Sequence, residues 1–183
     1  MRNDNAALLR RFFLLPLTVG QQEGEAWNCL FTQNQVVEVV GQATRLYPVP
    51  FSPPYLLGCI LRHDTLIPVV DVDLLCSGGA ERKKNASIRQ ILVIRTGQID
   101  AASGEFLRLA MACSGNVLTF KLTDRDVAGP FAPLQAPPSF DGQGLDLGFF
   151  QVREHRAVLM DFDAIVLGTF RFQAQDATQE KKA

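Results

Sequence analysis

The chain is expected to be all-β, folded as two similar small barrels, and three observations carry that expectation. Short apolar runs rich in Phe, Leu, Ile and Val recur along the 183 residues, separated by clusters of Gly, Pro, Asn and charge. Only one stretch carries a helix-start signature of any length. The third observation is an internal repeat: sliding the chain by 90 residues lays Leu57-Gly58 on Leu147-Gly148 and Asp71-Val72-Asp73 on Asp161-Phe162-Asp163 without a gap. Between these anchors the pairs Cys59/Phe149, Ile60/Phe150, Val69/Leu159 and Val70/Met160 stay apolar, and Leu75/Ile165 does so just beyond. The polar knot Arg62 to Thr65 falls on Val152 to His155. A strand, polar turn, strand, D-x-D and short helix therefore occur twice, as two similar barrels require.

Taken in order, residues 10 to 19, "RRFFLLPLTV", read as a strand followed by a turn at Gly20 to Gly24. Thr32 and Gln35 have capping-box spacing ahead of Val36, Val37, Val39 and Val40, which predicts a helix of about two turns from Gln33 to a stop at Gly41. Leu56 to Leu61 and Leu66 to Val72 are strands joined by the knot. Residues 77 to 87, with Gly, charge and nothing apolar larger than Ala, mark an exposed loop. "RQILVIR" is a strand, and residues 105 to 122 form one or two more, broken at Ser114-Gly115-Asn116. Residues 129 to 144 hold four prolines and three glycines and predict a long irregular connection. The tail "QAQDATQEKKA" is polar and reads as frayed.

Composition narrows function. With 47% apolar and 20% charged residues the chain can bury a sizeable core as about one domain. A net charge of −1 supplies no basic field, so nucleic acid is not an expected partner. No apolar window approaches the roughly 18 residues of a membrane helix, and "RRFFLLPLTV" lacks the length and cleavage site of a signal peptide, so a cytoplasmic protein without membrane insertion is expected. Cys29, Cys59, Cys76 and Cys113 sit singly in apolar segments without a C-x-x-C pair, which predicts reduced packing residues rather than a disulfide or zinc framework.

The D-x-D pairs are the most enzyme-like feature, because two carboxylates two residues apart can share a divalent cation. Each pair also ends an apolar strand and precedes a short apolar run, where a carboxylate is needed to cap free helix amides. No third acidic or histidine ligand lies nearby in sequence, so capping is the expected role. His63-Asp64 superficially resembles part of a kinase catalytic loop, but the glycine-rich loop, the strand lysine and the downstream Asn are missing. G-x-S-x-G, phosphate-loop and dinucleotide signatures are absent too. His63 and His155, the two histidines, both fall in predicted turns and are expected on the surface. No catalytic residue, cofactor or metal is expected, and the composition points to work by surface contact.

The segment "VVEVVGQATRLYPVPFSPPYLLGCILRHDTLIPVVDVDLL" resembles the first half of a CheW-like domain, the adaptor module of bacterial chemosensory arrays. The likeness lies in a helix ending Glu-Val-Val, a Pro-x-Pro spacer, a Pro-Pro-Tyr turn into a Gly-centred strand, and an Ile-Pro-Val-Val-Asp strand. It continues through "ILVIR", "EFLRLAMACSGNV" and "LGFFQVREHRAVLMDFDAIV", covering about residues 10 to 168 as a single domain ahead of a tail from 169 to 183. The resemblance implies two interlocked five-stranded barrels of SH3-like form with short helices. It also implies a non-catalytic adaptor that binds a chemoreceptor cytoplasmic tip and the regulatory domain of a CheA-like histidine kinase, recruited to membrane-associated receptor arrays.

Where family members commonly read Asn-Leu-Arg-Gly after the Gly-centred strand, this chain has Leu61-Arg62-His63-Asp64, and the usual Val-Asp is missing at "MACSGNV". Those departures imply a divergent member, such as an auxiliary adaptor of a pilus-motility or other non-flagellar chemosensory system. Stiff Pro53-Pro54 and the amide missing at Pro68 place the expected partner surface at Pro50, Phe51, Pro54, Tyr55, Arg62, His63 and Asp64. Two other classes stay open. A regulated enzyme would need the four aspartates in one cavity, and a different SH3-like peptide binder would need an aromatic groove, for which Trp27, Tyr47 and Tyr55 are the only Trp and Tyr.

Overall fold

β-Branched and aromatic runs form eleven strands, β1 (Arg10–Pro16), β2 (Trp27–Thr32), β3 (Val36–Gly41), β4 (Leu56–Arg62), β5 (Thr65–Asp71), β6 (Gln90–Ile99), β7 (Phe106–Cys113), β8 (Leu118–Leu122), β9 (Phe131–Leu134), β10 (Asp146–Val152) and β11 (His155–Met160). Among the described residues two short helices, α1 (Val72–Cys76) and α2 (Asp163–Val166), follow β5 and β11. The structure, a computed structural model, describes residues 10–18, 26–41, 44–77, 87–122, 131–142 and 144–170. The turn expected at Gly20 to Gly24, most of the loop after Ser77 and the polar tail lie outside them.

The strands make a five-stranded sheet in the order β3-β6-β7-β5-β4 and a six-stranded sheet in the order β8-β1-β2-β11-β10-β9. Each contains one parallel pair, β5 with β7 and β11 with β2, which joins segments far apart in sequence. The amino-terminal β1 and β2 thus complete the sheet formed by the carboxy-terminal strands, and the two barrels are interlocked by chain path. Carrying the 90-residue offset through the ladders equates β4-β5-α1 with β10-β11-α2, β6-β7 with β1-β2, and β3 with β8.

Each barrel has its own interior, Val40, Ile60, Ile67, Val69, Ile91 and Val93 in one and Phe12, Leu14, Leu30, Leu122, Val152 and Ala157 in the other. The largest apolar cluster belongs to both: Leu15, Trp27, Cys29 and Phe31 pack with Val70, Leu75, Cys76, Leu92, Ile94, Met111, Met160 and Phe162. Burying a large side chain contributes about 1.5 to 3 kcal/mol, so this shared cluster holds the barrels together. The Cys29 and Cys76 sulfurs lie 3.4 and 3.6 Å from the Met160 sulfur. All four cysteines are free, and burial pushes the thiol of Cys76 well up and that of Cys113 up to about 11, the state of packing groups rather than nucleophiles.

Two expectations are corrected. Residues 36 to 41 are a strand, and so is the Glu-Val-Val segment that the family resemblance placed in a helix. The Gln35 side chain does reach back to the Thr32 amide, at 3.0 Å, but the motif closes a tight turn whose valines continue as β3 against β6. β-Branched side chains pack better on a pleated surface than on a helix, and a strand partner was available. The connection over 129 to 144 is not wholly irregular either: Phe131–Leu134 is β9, antiparallel to β10, and it makes the second sheet six-stranded. Pro133 is tolerated because β9 is an edge strand.

Candidate protein-docking surfaces

The knot at 62 to 65 is a two-residue hairpin turn in which Arg62 pairs with Thr65. His63 and Asp64 have φ of 46° and 63°, the left-handed pair that matches the twist of a tight hairpin and that Asp and His tolerate better than most residues. His63 and Asp64 are exposed, while Arg62 reaches to β3. Its Nε donates to Glu38 Oε1 at 2.8 Å and its terminal nitrogen to Oε2 at 2.5 Å. This fork holds the Glu38 carboxyl below its ordinary range and Arg62 above its own. Because β3 and β4 are opposite edges of one sheet, the ion pair spans the seam where the barrel closes.

The other expected contact residues lie at the far end of β4. A backbone bridge between Tyr47 and Cys59 ties the proline-rich segment to that strand, and Arg45 lies 5.0 Å over the Tyr47 ring. Pro50 and Pro54 are exposed, and Phe51, at φ 57°, stands fully in solvent. Tyr55 turns inward, edge-on to Phe170 at 5.6 Å. Tyr55 precedes and Arg62 ends the seven-residue strand β4, a span of about 20 Å of extended chain, so the expected contact residues form two groups on one barrel rather than one patch.

Sequence reasoning missed most of the apolar side chains that this barrel exposes. Of twelve large apolar side chains left exposed among the described residues, nine belong to the five-stranded barrel and its loops: Val37, Val39, Tyr47, Val49, Phe51, Leu61, Leu66, Ile99 and Phe106. Leu61 and Leu66 face each other across the hairpin. Val37 and Val39 flank Glu38 on the other side of the seam, and the alternation V-V-E-V-V was the signal that could have found them. Beside them Arg95, held by the Asn34 carbonyl, lies 5.5 Å over the Phe106 ring.

A cleft of about 480 Å³ runs between the barrels. Ile94, Thr96 and Phe106 line it from one side, Leu147, Met160 and Phe162 from the other. The aspartates do not converge on one cavity: Asp71 accepts the Leu74 amide at the start of α1, and Asp161 accepts the amides of Asp163 and Ala164 at the start of α2. Among the described residues no three His, Cys, Asp or Glu side chains are grouped to hold a metal ion. The histidines sit on different barrels, and His155 is half-buried against Phe120 rather than fully on the surface. No helix among the described residues is long and apolar enough to cross a membrane.

No family model matches the sequence, and no curated protein matches it either. The fold does have a solved counterpart. The crystal structure of the scaffolding protein TtCheW from Thermoanaerobacter tengcongensis superimposes with a TM-score of 0.58 over 88% of this chain and 90% of that one, at 14% sequence identity. The architecture is therefore CheW-like, with two β subdomains of the same arrangement.

Proposed function

We propose that the protein is a non-catalytic adaptor of a bacterial chemosensory system, with residues 10 to 168 as its adaptor domain. It couples a chemoreceptor cytoplasmic tip to the regulatory domain of a CheA-like histidine kinase and works in the cytoplasm, recruited to receptor arrays. The observation that carries the reading is the concentration of exposed apolar side chains on one of two like barrels in a chain with a scaffolding protein's fold. Exposed apolar area on one face is a mark of protein contact. The five-stranded barrel, with Phe51 at one end and Leu61, Leu66 and Arg62 at the other, is assigned to the kinase regulatory domain. The cleft, lined by apolar side chains of both barrels, is assigned to the receptor tip, which it would hold as an amphipathic helix.

Calorimetric titration of the kinase regulatory domain into wild type, Phe51→Ala, Arg62→Ala and Leu66→Glu tests this. A docked anchor typically contributes on the order of 2 kcal/mol, so at least one of the three variants should bind about thirtyfold more weakly, with its melting temperature within a few degrees of wild type. Which variant weakens identifies the end of the barrel in use. Unchanged binding by all three, or no binding by wild type, overturns the assignment.

A further inference from the structure

The two residues of each D-x-D divide their work. The first caps its own helix. The second turns to the opposite barrel. Asp73, at the end of the five-stranded sheet, accepts the Thr18 amide just beyond β1 of the six-stranded sheet at 2.6 Å. Asp163, at the end of the six-stranded sheet, accepts the Gly97 amide of β6 through Oδ1 at 2.9 Å and the Gln98 side-chain amide through Oδ2 at 3.1 Å.

These are one contact made twice. Asp73 and Asp163 are 90 residues apart and equivalent by the repeat. Leu15 pairs with Cys29, which lies beside Val158; Ile94 pairs with Leu109, which one step along the parallel ladder lies beside Pro68, the repeat mate of Val158. Leu15 and Ile94 thus hold the same place in the two barrels, and Thr18 and Gly97 each follow three residues later. At Gly97 the fit is close: a Cβ there would lie 2.6 Å from the Asp163 carboxylate, so the missing side chain is what lets the carboxylate sit on the backbone.

We propose that Asp73 and Asp163 are reciprocal clasps that fix the rotation of one barrel against the other. The shared apolar core resists separation but is non-directional, so it leaves sliding and rotation weakly opposed. Charge-assisted bonds to backbone amides are directional and supply what the core lacks. Asp163 and Gly97 both line the cleft, so that clasp also sets the cleft's width. The inference rests on this geometry alone and stands whichever partner the protein binds.

Residual dipolar couplings and amide exchange, measured by NMR on the intact protein, test it. In wild type, couplings from both barrels should fit one common orientation, and the Thr18 and Gly97 amides should exchange slowly. In the Asp73→Ala/Asp163→Ala double variant the barrels should require different orientations, and those two amides should exchange at least tenfold faster. Asp163→Asn keeps an acceptor oxygen and should behave as wild type at Gly97. Gly97→Ala displaces the carboxylate while leaving every aspartate in place, so it reports even if the double variant does not fold; it should speed exchange at the Gln98 side-chain amide and at the backbone amide of residue 97 and shift the barrels' relative orientation. A single unchanged orientation in the double variant, or in Gly97→Ala should the double variant not fold, overturns the proposal. So does an Asp163→Asn variant in which the Gly97 amide exchanges as fast as it does in the double variant.

Discussion

The hairpins β4–β5 and β10–β11 are built to one plan and finished differently. Both carry a glycine of positive φ at a register shift near the start, Gly58 and Gly148, both end in an aspartate that caps a helix, and both lie beside a parallel strand. Their outer edges diverge. On the outer side Phe149 pairs with Leu134 of β9, a four-residue strand; there its repeat mate Cys59 meets Tyr47 in an isolated bridge, and Pro48 and Pro50, which follow Tyr47, cannot donate to a ladder. The sixth strand of one barrel is a single bridge in the other. The seams differ as well. Phe12 stacks on Phe120 of β8 at 5.6 Å and lies 6.3 Å from Phe131 of β9, so rings close the second barrel, whereas the Arg62–Glu38 ion pair closes the first. The barrel closed by rings leaves only Leu118, Leu147 and Leu167 exposed among its large apolar side chains in the described residues. The barrel closed by charge leaves Val37, Val39, Leu61 and Leu66 exposed.

Exchanging residues between the hairpins should expose that difference most strongly. Arg62 and Val152 are repeat mates, the first partly exposed and paired, the second fully buried. Val152→Arg buries an unpaired charge and should cost about 3 to 5 kcal/mol in urea denaturation, while Arg62→Val should leave the barrel folded. The glycines come next. A Cβ at Gly58 would meet the Tyr47 carbonyl oxygen, which is backbone, at 2.5 Å; at Gly148 it would meet the movable Phe150 ring at 2.9 Å. Gly58→Ala should cost roughly 3 kcal/mol and Gly148→Ala roughly 1, and equal costs would contradict the asymmetry.

The caps should behave alike. Asp71→Ala and Asp161→Ala should each cost about 0.5 to 2 kcal/mol, with no rise in wild-type melting temperature on adding magnesium or manganese. A metal-dependent rise abolished by either substitution would contradict the capping role. The smallest effect is electrostatic. Pairing lowers the folded-state pKa of Glu38 below its ordinary 4.5, so its stabilising contribution is present above that value and is lost as pH falls through the lowered one. The melting-temperature gap between wild type and Glu38→Gln should close on acidification below about pH 4.5 and hold constant from pH 6 to 7. The gap between wild type and Val152→Ala, a buried apolar truncation, should not change with pH.

Much of this plan was legible in the chain. Alternating or continuous apolar runs marked β1, β4, β5, β6 and β7, the repeat placed β10 and β11, and the D-x-D ahead of a short apolar run marked both helices. What misled was local chemistry with two readings. Thr32 and Gln35 make the same reach-back bond in a helix cap and in a tight turn, and only the β6 edge beside Val36 to Gly41 decides between them. β9 was hidden because its edge position tolerates the proline that a central strand would exclude. Arg62 was read as a turn residue on a partner surface, and its pairing with Glu38 was not legible because Glu38 lies 24 positions away and meets it only when the barrel closes. Phe51 could have been core or surface by sequence; its neighbouring prolines and left-handed backbone turn it outward.

The central claim is that the five-stranded barrel and the cleft are separate docking surfaces of one adaptor. Its most direct test is calorimetric titration of a chemoreceptor tip fragment into the protein, first alone and then saturated with the kinase regulatory domain. The account predicts binding at one fragment site per chain in both titrations, with Kd values within about threefold, a difference of roughly 0.7 kcal/mol or less. Loss of fragment binding in the saturated protein, or no binding of either partner, would contradict it.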